Sequence, residues 1–483
     1  MNARFEAEAG AKNSLIFPTF SARPPMELSA ESVLALAPDA ASAKAANGLL
    51  KPGGWPTLGA NDAAVWGECQ GSGSKPYQTQ VDLSGPTFKC SCPSRKFPCK
   101  HGLALLLLRA KDASLFTASA PPAWVADWLS ARTERVQKKE EKQREKATSP
   151  AAEPSAAALK SAQQRWAKMA TGAAELQPWL LDQLARGLGS LGPQSRAAWE
   201  TMAARLVDAK APGLGQRLLN AAAGLLQGAD WPEKTLRQLG LLQLACEAVA
   251  RRDALGEAAQ TDLRIMLGWP LDKEAVLAQS PGVLDHWQII GVVQEERDNN
   301  VQERRVWLQG QQTGRRALLL EHAFAGRGFE QSWLPLSSHA ATLAFYPSAA
   351  PLRAIVVSSA VADSASAAPS AASTASATSP AAAPADSSPA QEWRALAQRV
   401  ADNPWIPLHP LRCHRATPCR EADGFSLHWG CQSLRLTLSD AEGWALLALS
   451  GGQPLSLMGE WNGKTLRPLS AQGPDGVWNW SLS

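Results

Sequence analysis

Residues 89–101 read KCSCPSRKFPCKH and hold three of the chain's eight cysteines and one of its seven histidines. Cys90 and Cys92 flank one serine. Six residues on, Cys99 and His101 flank one lysine. Three soft thiolates and one imidazole are a donor set suited to tetrahedral Zn2+. A Cys-x-Cys pair at a strand end lets both side chains converge if the backbone kinks, and Pro93 breaks the ladder there. Pro98 sets the approach to the second pair. His101 then opens a helix, and the leucine-rich run 103–108 packs that helix against the preceding strands. Two other readings compete. A Cys90–Cys92 disulfide would close a very short, strained ring and leave Cys99 and His101 without a role. Simple burial of all four does not account for ligand types at this density.

Charge fits the metal reading. Zn2+ with three thiolates and a neutral imidazole carries a net −1. Lys89, Arg95, Lys96 and Lys100 surround the ligands, and residues 88–111 contain no Asp or Glu. Nearby cations favour thiolate over thiol. Zinc binding would return its energy as folding energy, on the order of 10 kcal/mol in zinc-finger peptides. A hairpin plus one helix is a small core that needs such a staple.

Working outward, AAVWGEC (63–69) and YQTQVDL (77–83) alternate as half-buried strands do, and GSGSKP between them is turn chemistry. TFKCSC continues that sheet. Upstream lie a helical stretch and a Gly/Pro-rich patch, KPGGWPTLGAND. Residues 132–147 hold seven Lys/Arg and four Glu, which reads as a solvated helix or linker; TSPAAEPSAAA then breaks the chain. In the Ala/Leu/Gln-rich region that follows, Leu180, Leu184 and Leu188, and Leu236, Leu239, Leu242 and Cys246, are spaced as amphipathic helix faces. Strand patterning takes over at HWQIIGVVQEER and continues through RRVWLQGQ, RRALLLEHAF and LRAIVVSS. An Ala/Ser/Pro tract follows with almost nothing large to bury. The last block opens with a helix near QEWRALAQRV and continues with strands expected at FSLHWG, LRLTLSD and WALLALS. The expected fold class is therefore α+β and multidomain: an N-terminal ββα zinc module, a central helical domain and two β-rich blocks joined by a disordered linker. The expected bounds are 1–117 for the zinc-finger domain, 118–160 for the charged helix or linker and 161–280 for the helical domain. The β-rich domain takes 281–358, the linker 359–390 and the C-terminal α+β domain 391–483.

The order hairpin, CxC, spacer, CxH, helix resembles the SWIM-type zinc finger, and CSCPSRKFPCKHGLALLL resembles its bacterial form, over roughly residues 50–117. The resemblance implies a structural zinc held by Cys90, Cys92, Cys99 and His101, with binding to DNA or to protein partners. Bacterial members often accompany MoxR-type ATPases and von Willebrand factor A-type proteins, so a scaffold role in an ATPase assembly is the expected function. DNA binding through the basic face of the module is the alternative.

Other constellations are weaker. His409, Cys413, His414, Cys419, His428 and Cys431 are ligand types in a short span, but no CxC or CxxC knuckle pairs them. Gly463-Lys464-Thr465 ends like a phosphate loop, yet the first glycine of that motif would fall on Met458. Asn462-Gly463 reads better as a hairpin turn. Trp124 and Trp128 share a helix face. Trp287, Trp307 and Trp333 fall on or beside separate strands. No basic stripe interleaves the 19 tryptophans, so core packing outweighs a base-stacking platform. No GxSxG or HExxH occurs, no catalytic set stands out, and a zinc with four protein ligands has no open position for water. The expectation is a non-enzyme. The net charge of +4 neither demands nor excludes nucleic acid. The N-terminal residues lack an apolar signal segment and the longest apolar run is far too short to span a membrane. A cytoplasmic protein without membrane contact is expected, its cysteines reduced.

Overall fold

The computed structural model describes residues 30–480, apart from 35, 39, 72, 74, 84–85, 95, 149–154, 298–300, 325–328, 330, 360–387 and 474–475. The Ala/Ser/Pro linker, the break after residue 148 and Arg95 thus lie wholly or mostly outside the described residues.

Two short helices, α1 (Ala30–Leu34) and α2 (Ala40–Asn47), precede strands β1 (Thr57–Ala60), β2 (Ala64–Cys69), β3 (Tyr77–Asp82) and β4 (Thr87–Cys90). Helix α3 (Lys100–Lys111) and the two-residue strand β5 (Thr117–Ala118) complete the module. Its sheet runs β4-β3-β2-β1-β5, so the expected ββα unit is the inner part of a five-stranded sheet. The Gly/Pro-rich patch contributes β1, because Gly59 gives the Trp66 indole room. A Cβ there would stand 2.4 Å from its Nε1. Leu103 to Leu108 are all buried, with Phe88, Val65 and Val81 among their core partners.

Helix α4 (Ala123–Thr148) carries the charged run, as expected. The helical domain follows as α5 (Ala156–Ala185), α6 (Ser195–Asp208), α7 (Pro212–Ala223), α8 (Trp231–Ala250), α9 (Glu257–Met266) and α10 (Lys273–Gln279). Its core stripe on α5 is Met169, Ala173, Leu176 and Leu180. Leu184 and Leu236, expected on buried faces, are exposed. The face of α5 turns towards Gln183 instead, whose Oε1 accepts from the buried Trp199 Nε1 at 3.2 Å.

Strands β6 (Val283–Arg297), β7 (Val301–Gly310), β8 (Arg316–Ala323), β9 (Ser338–Phe345) and β10 (Arg353–Ser359) close a barrel in the order β10-β8-β7-β6-β9. All neighbours are antiparallel except β10 with β8. The expectation omitted β9, which the closure requires.

The C-terminal domain begins with α11 (Pro389–Asp402), capped by a reciprocal Ser388–Gln391 box. Strands β11 (His409–Glu421), β12 (Gly424–Trp429) and β13 (Gln432–Arg435) come before helix α12 (Asp440–Ser450). Strands β14 (Leu455–Trp461), β15 (Leu466–Gly473) and β16 (Gly476–Asn479) follow it, and the sheet order is β13-β12-β11-β14-β15-β16. WALLALS, expected as a strand, is the body of α12. Ser439 and Glu442 form a capping box at its start, and Gly451 ends it in the left-handed region at φ 53°. A short apolar run fits either element, and here the caps decide. Gly463 does sit in the β14–β15 turn, where Asn462 Oδ1 accepts from the Lys464 and Thr465 amides at 2.9 Å each.

The barrel and the C-terminal sheet share a buried ionic contact. Arg305 on β7 donates to both carboxylate oxygens of Glu460 on β14, at 2.8 and 3.0 Å, and to Glu295 and Glu303 at 2.9 Å each. Trp307 Nε1 donates to Glu460 Oε1 at 2.8 Å. Around them Ile290, Val293, Leu352, Met458 and Leu469 form a shared apolar patch. Truncating one partner of a buried pair strands the other, so Glu460→Ala should lower stability by on the order of 3 kcal/mol in denaturant unfolding. A loss indistinguishable from zero would contradict this role. Hydrogen bonding from Arg305 holds the Glu295 carboxyl down, from 4.5 to about 2. Its contribution is therefore complete above pH 4.5 and is lost as pH falls from there towards 2. Glu295→Gln should flatten the acid limb of the stability curve over that window, and an unchanged limb would argue against the pairing.

Candidate metal centre

The β3–β4 hairpin and the first turn of α3 carry the four side chains. Cys90 ends β4 directly opposite Thr79 on β3. Beyond it, the Ser91 amide donates to the Gln78 carbonyl and Ser91 Oγ accepts from the Gln78 amide, both at 3.0 Å, which fixes where the chain leaves the sheet. The Ser94 hydroxyl accepts from the Lys96 amide at 3.2 Å and shapes the spacer. The chain then returns through Pro98, after a cis peptide, to Cys99. Cys99 is the N-cap of α3 and its Sγ accepts from the Gly102 amide at 3.5 Å. A helix N-terminus favours negative charge, so the cap position suits a thiolate. Gly102 lets the helix sit directly on the sheet. A Cβ there would lie 2.8 Å from the Phe88 ring.

The result brings together the four residues that the sequence motif singles out. One ligand atom from each of Cys90, Cys92, Cys99 and His101 lies within 4.8 Å of all the others. Cys90 Sγ is 3.8 Å from His101 Nδ1 and 3.2 Å from Thr79 Oγ1. Ligand atoms around a tetrahedral Zn2+ with bonds near 2.0–2.3 Å are separated by roughly 3.5–3.8 Å, so small side-chain rotations suffice to close the set. Cys99 and His101 are buried, Cys90 and Cys92 half-buried, and the Tyr77 ring leans over His101 at 4.9 Å between centroids. Lys89, Lys96 and Lys100 around the cluster are exposed.

The three thiols are not equivalent. Hydrogen bonding from Cys99, with help from His101 and Thr79, pulls Cys90 down to about 4. Cys99 is pushed up by donating that hydrogen bond and by burial, and Cys92 is pushed up chiefly by burial. Cys69, buried behind the site on β2, is raised to about 11 by burial. A soft divalent cation is what allows all three thiols to ionise together.

Among the described residues no second such group occurs. Cys413 lies in the C-terminal core, where burial raises its thiol. His414 Nδ1 is engaged by Ser456 Oγ at 2.7 Å, and Cys431 is exposed. His409 is buried and lowered to about 4, by burial and then by the Arg399 charge. The long strand β11 spreads His409, Cys413 and His414 along its length, and Cys431 lies apart in the turn between β12 and β13.

Two comparisons with known families agree with this geometry. Residues 77–110 match the model of the SWIM zinc finger, which takes in the β3–β4 hairpin, all four ligand-type residues and most of α3. Residues 164–267 match the model of the SWIM-associated four-helix bundle domain, from within α5 to the end of α9. No curated protein and no solved structure matches the chain. The fold and the cluster thus define a zinc-binding module of the treble Cys, single His kind. The chain thus carries a SWIM zinc finger and a SWIM-associated four-helix bundle domain. The sequence motif missed one site residue, Thr79, which supports the Cys90 sulfur from a neighbouring strand and has no signature in the CxC…CxH spacing.

Two outcomes follow for zinc loading. Zinc displaces protons from the thiols it binds, so loading at neutral pH should release protons and affinity should rise with pH. Calorimetry in buffers of different ionisation enthalpy measures this, and no net proton release would contradict the assignment. Cys99→Ser should abolish stoichiometric zinc, measured by atomic emission, and unfold the module while the bundle stays folded. Unchanged metal content would overturn the ligand set.

Proposed function

We propose that Cys90, Cys92, Cys99 and His101 hold a structural Zn2+ and that the protein is a non-enzymatic, zinc-dependent scaffold for protein partners. The observation that carries this reading is the closed donor set. Four protein ligands saturate a tetrahedral ion and leave no position for an activated water. Bound zinc would supply folding energy, and this chain's own residues spread it outwards. Cys99 caps α3, and the α3 leucines anchor the sheet. Leu334, from the segment between β8 and β9, inserts into the same core. The next residue back, Trp333, donates instead to Glu321 on the barrel, at 3.2 Å. The zinc module and the barrel are thereby tied by adjacent side chains. Arg132 on α4 adds an ion pair to Asp82 on β3 at 2.8 Å.

Exposed apolar groups support a protein partner. Trp444 on α12 is 57% exposed and Phe324 at the end of the barrel strand β8 is 60% exposed. A MoxR-type ATPase with a von Willebrand factor A-type protein is the partner class we favour. The test is co-purification of the zinc-loaded full chain with both candidates, with and without a chelator. A complex that forms only with zinc supports the scaffold. Absence of any complex under both conditions rejects it. No helix among the described residues is long and apolar enough to cross a membrane.

A second reading, DNA contact through the face carrying Lys89, Lys96 and Lys100, draws on their exposure beside the site. These cations also offset the net negative zinc–thiolate centre, which weakens their weight for DNA. If DNA is bound there, affinity should fall steeply as salt rises. Affinity that stays flat with salt would reject this second reading.

A further inference from the structure

Two tryptophans of the helical domain, far apart in sequence, meet near the start of α5. Trp166 on α5 and Trp269 just after α9 have ring centroids 6.0 Å apart. Each ring carries arginine. The guanidinium carbons of Arg165 and Arg264 lie over the Trp269 ring at 4.5 and 4.1 Å, and that of Arg252 lies over Trp166 at 4.9 Å. The sequence shows no basic stripe interleaved with tryptophan. The fold builds one from α5, α9 and the turn after α8.

The charges in this cluster are incompletely answered. Arg252 pairs with Asp253 at 2.6 Å, but that aspartate is 86% exposed. Arg165 donates to the Gly268 carbonyl at 3.4 Å, and the exposed Asp272 lies within electrostatic range of Arg264. Neither Arg165 nor Arg264 has a carboxylate within ion-pair distance among the described residues, and the Nε of each is buried without an acceptor. Arg165 and Arg264 also oppose each other's charge. The ring quadrupole attracts a cation lying over it, which helps to keep the two guanidinium groups in place. All five side chains are half-buried in a convergent arrangement, that of Arg252 at 32% exposure.

Guanidinium is the group best matched to phosphate, because its fork of donors fits two oxygens at once. Two cationic stations sit on adjacent rings, one with Arg252 and one with Arg165 and Arg264. We propose that these three arginines, positioned by Trp166 and Trp269, form a binding site for two adjacent phosphoryl groups, carried by an inorganic oligophosphate or by a nucleic-acid backbone. The site lies in the SWIM-associated bundle, apart from the zinc module, and does not rest on the scaffold reading. Since its contacts are to phosphate, recognition is independent of base sequence.

The test is calorimetric titration of the zinc-loaded full chain with sodium tripolyphosphate and, separately, with a mixed-sequence single-stranded oligonucleotide. Tripolyphosphate should bind saturably, and Arg264→Gln or Arg165→Gln should weaken it about tenfold or more. Arg264→Lys keeps the charge and loses the fork, so it should weaken binding by a smaller factor. It also serves if the glutamine variants fail to fold. Arg196→Gln, at an exposed position on α6, should leave affinity unchanged. Oligonucleotide binding that falls in the same variants identifies a nucleic-acid backbone as the source of the phosphates, and tripolyphosphate binding alone identifies an oligophosphate. No saturable binding of either probe to the unaltered chain overturns the site. So does affinity in a folded Arg165→Gln/Arg264→Gln or Arg264→Lys variant equal to that of the unaltered chain.

Discussion

Three thiols forced to within 4.8 Å of one another cannot all ionise without a cation between them. Charge on one of them raises its neighbours' hold on their protons. That constraint is what makes the N-terminal module depend on metal. The hairpin presents Cys90 and Cys92, the helix presents Cys99 and His101, and the two meet at the cluster, along the Phe88–Gly102 contact and in the core that the α3 leucines share with Val65 and Val81. The leucines of α3 bury well against the sheet and residues of α1 and α2, but a module of this size gains little more than it loses in chain entropy. A zinc bound at the junction of the two elements adds its energy where the fold is thinnest.

From this junction the structure reaches the rest of the chain by a few specific contacts. Leu334 ties the module core to the barrel, and Arg132 ties α4 to β3. On the far side of the barrel, Arg305, Glu295, Glu303 and Glu460 form a buried network that sets the barrel against the C-terminal sheet. Such pairs rarely add much stability over apolar substitutes, but they admit one alignment of the two surfaces. The bundle joins through the Arg217 guanidinium, which donates to the Trp405 carbonyl at 3.2 Å, and through Asp262, which accepts from the Ala349 amide at 2.8 Å. Sequentially distant blocks are thus linked by polar contacts of defined geometry.

The zinc site was legible because its ligands lie within twelve residues of one another, and local spacing alone brings them together. The succession of helical and strand-rich blocks was legible for the same reason, since periodicity is a local property. What escaped was decided at longer range or by caps. WALLALS carries a strand-like apolar run, but Ser439, Glu442 and Gly451 outside it commit it to a helix. β1 hides in a Gly/Pro-rich patch because its glycine serves the Trp66 ring on the next strand. Barrel closure depends on β10 lying between β8 and β9, a pairing no single segment announces. Leu184 and Leu236 sit at core-like spacing yet face outwards, because helix packing selected a neighbouring stripe. The Arg165, Arg252, Arg264 and Trp269 cluster is invisible in the sequence, since three separate elements supply it.

Hydrogen exchange followed by mass spectrometry, before and after quantitative zinc removal, tests the dependence of the module on its metal most directly. If the cluster is the staple described here, metal-free protein loses protection across β3, β4 and α3. Protection also falls in the segment carrying Leu334, while α5 to α8 retain theirs. Full protection of α3 in protein shown to contain no zinc would contradict it.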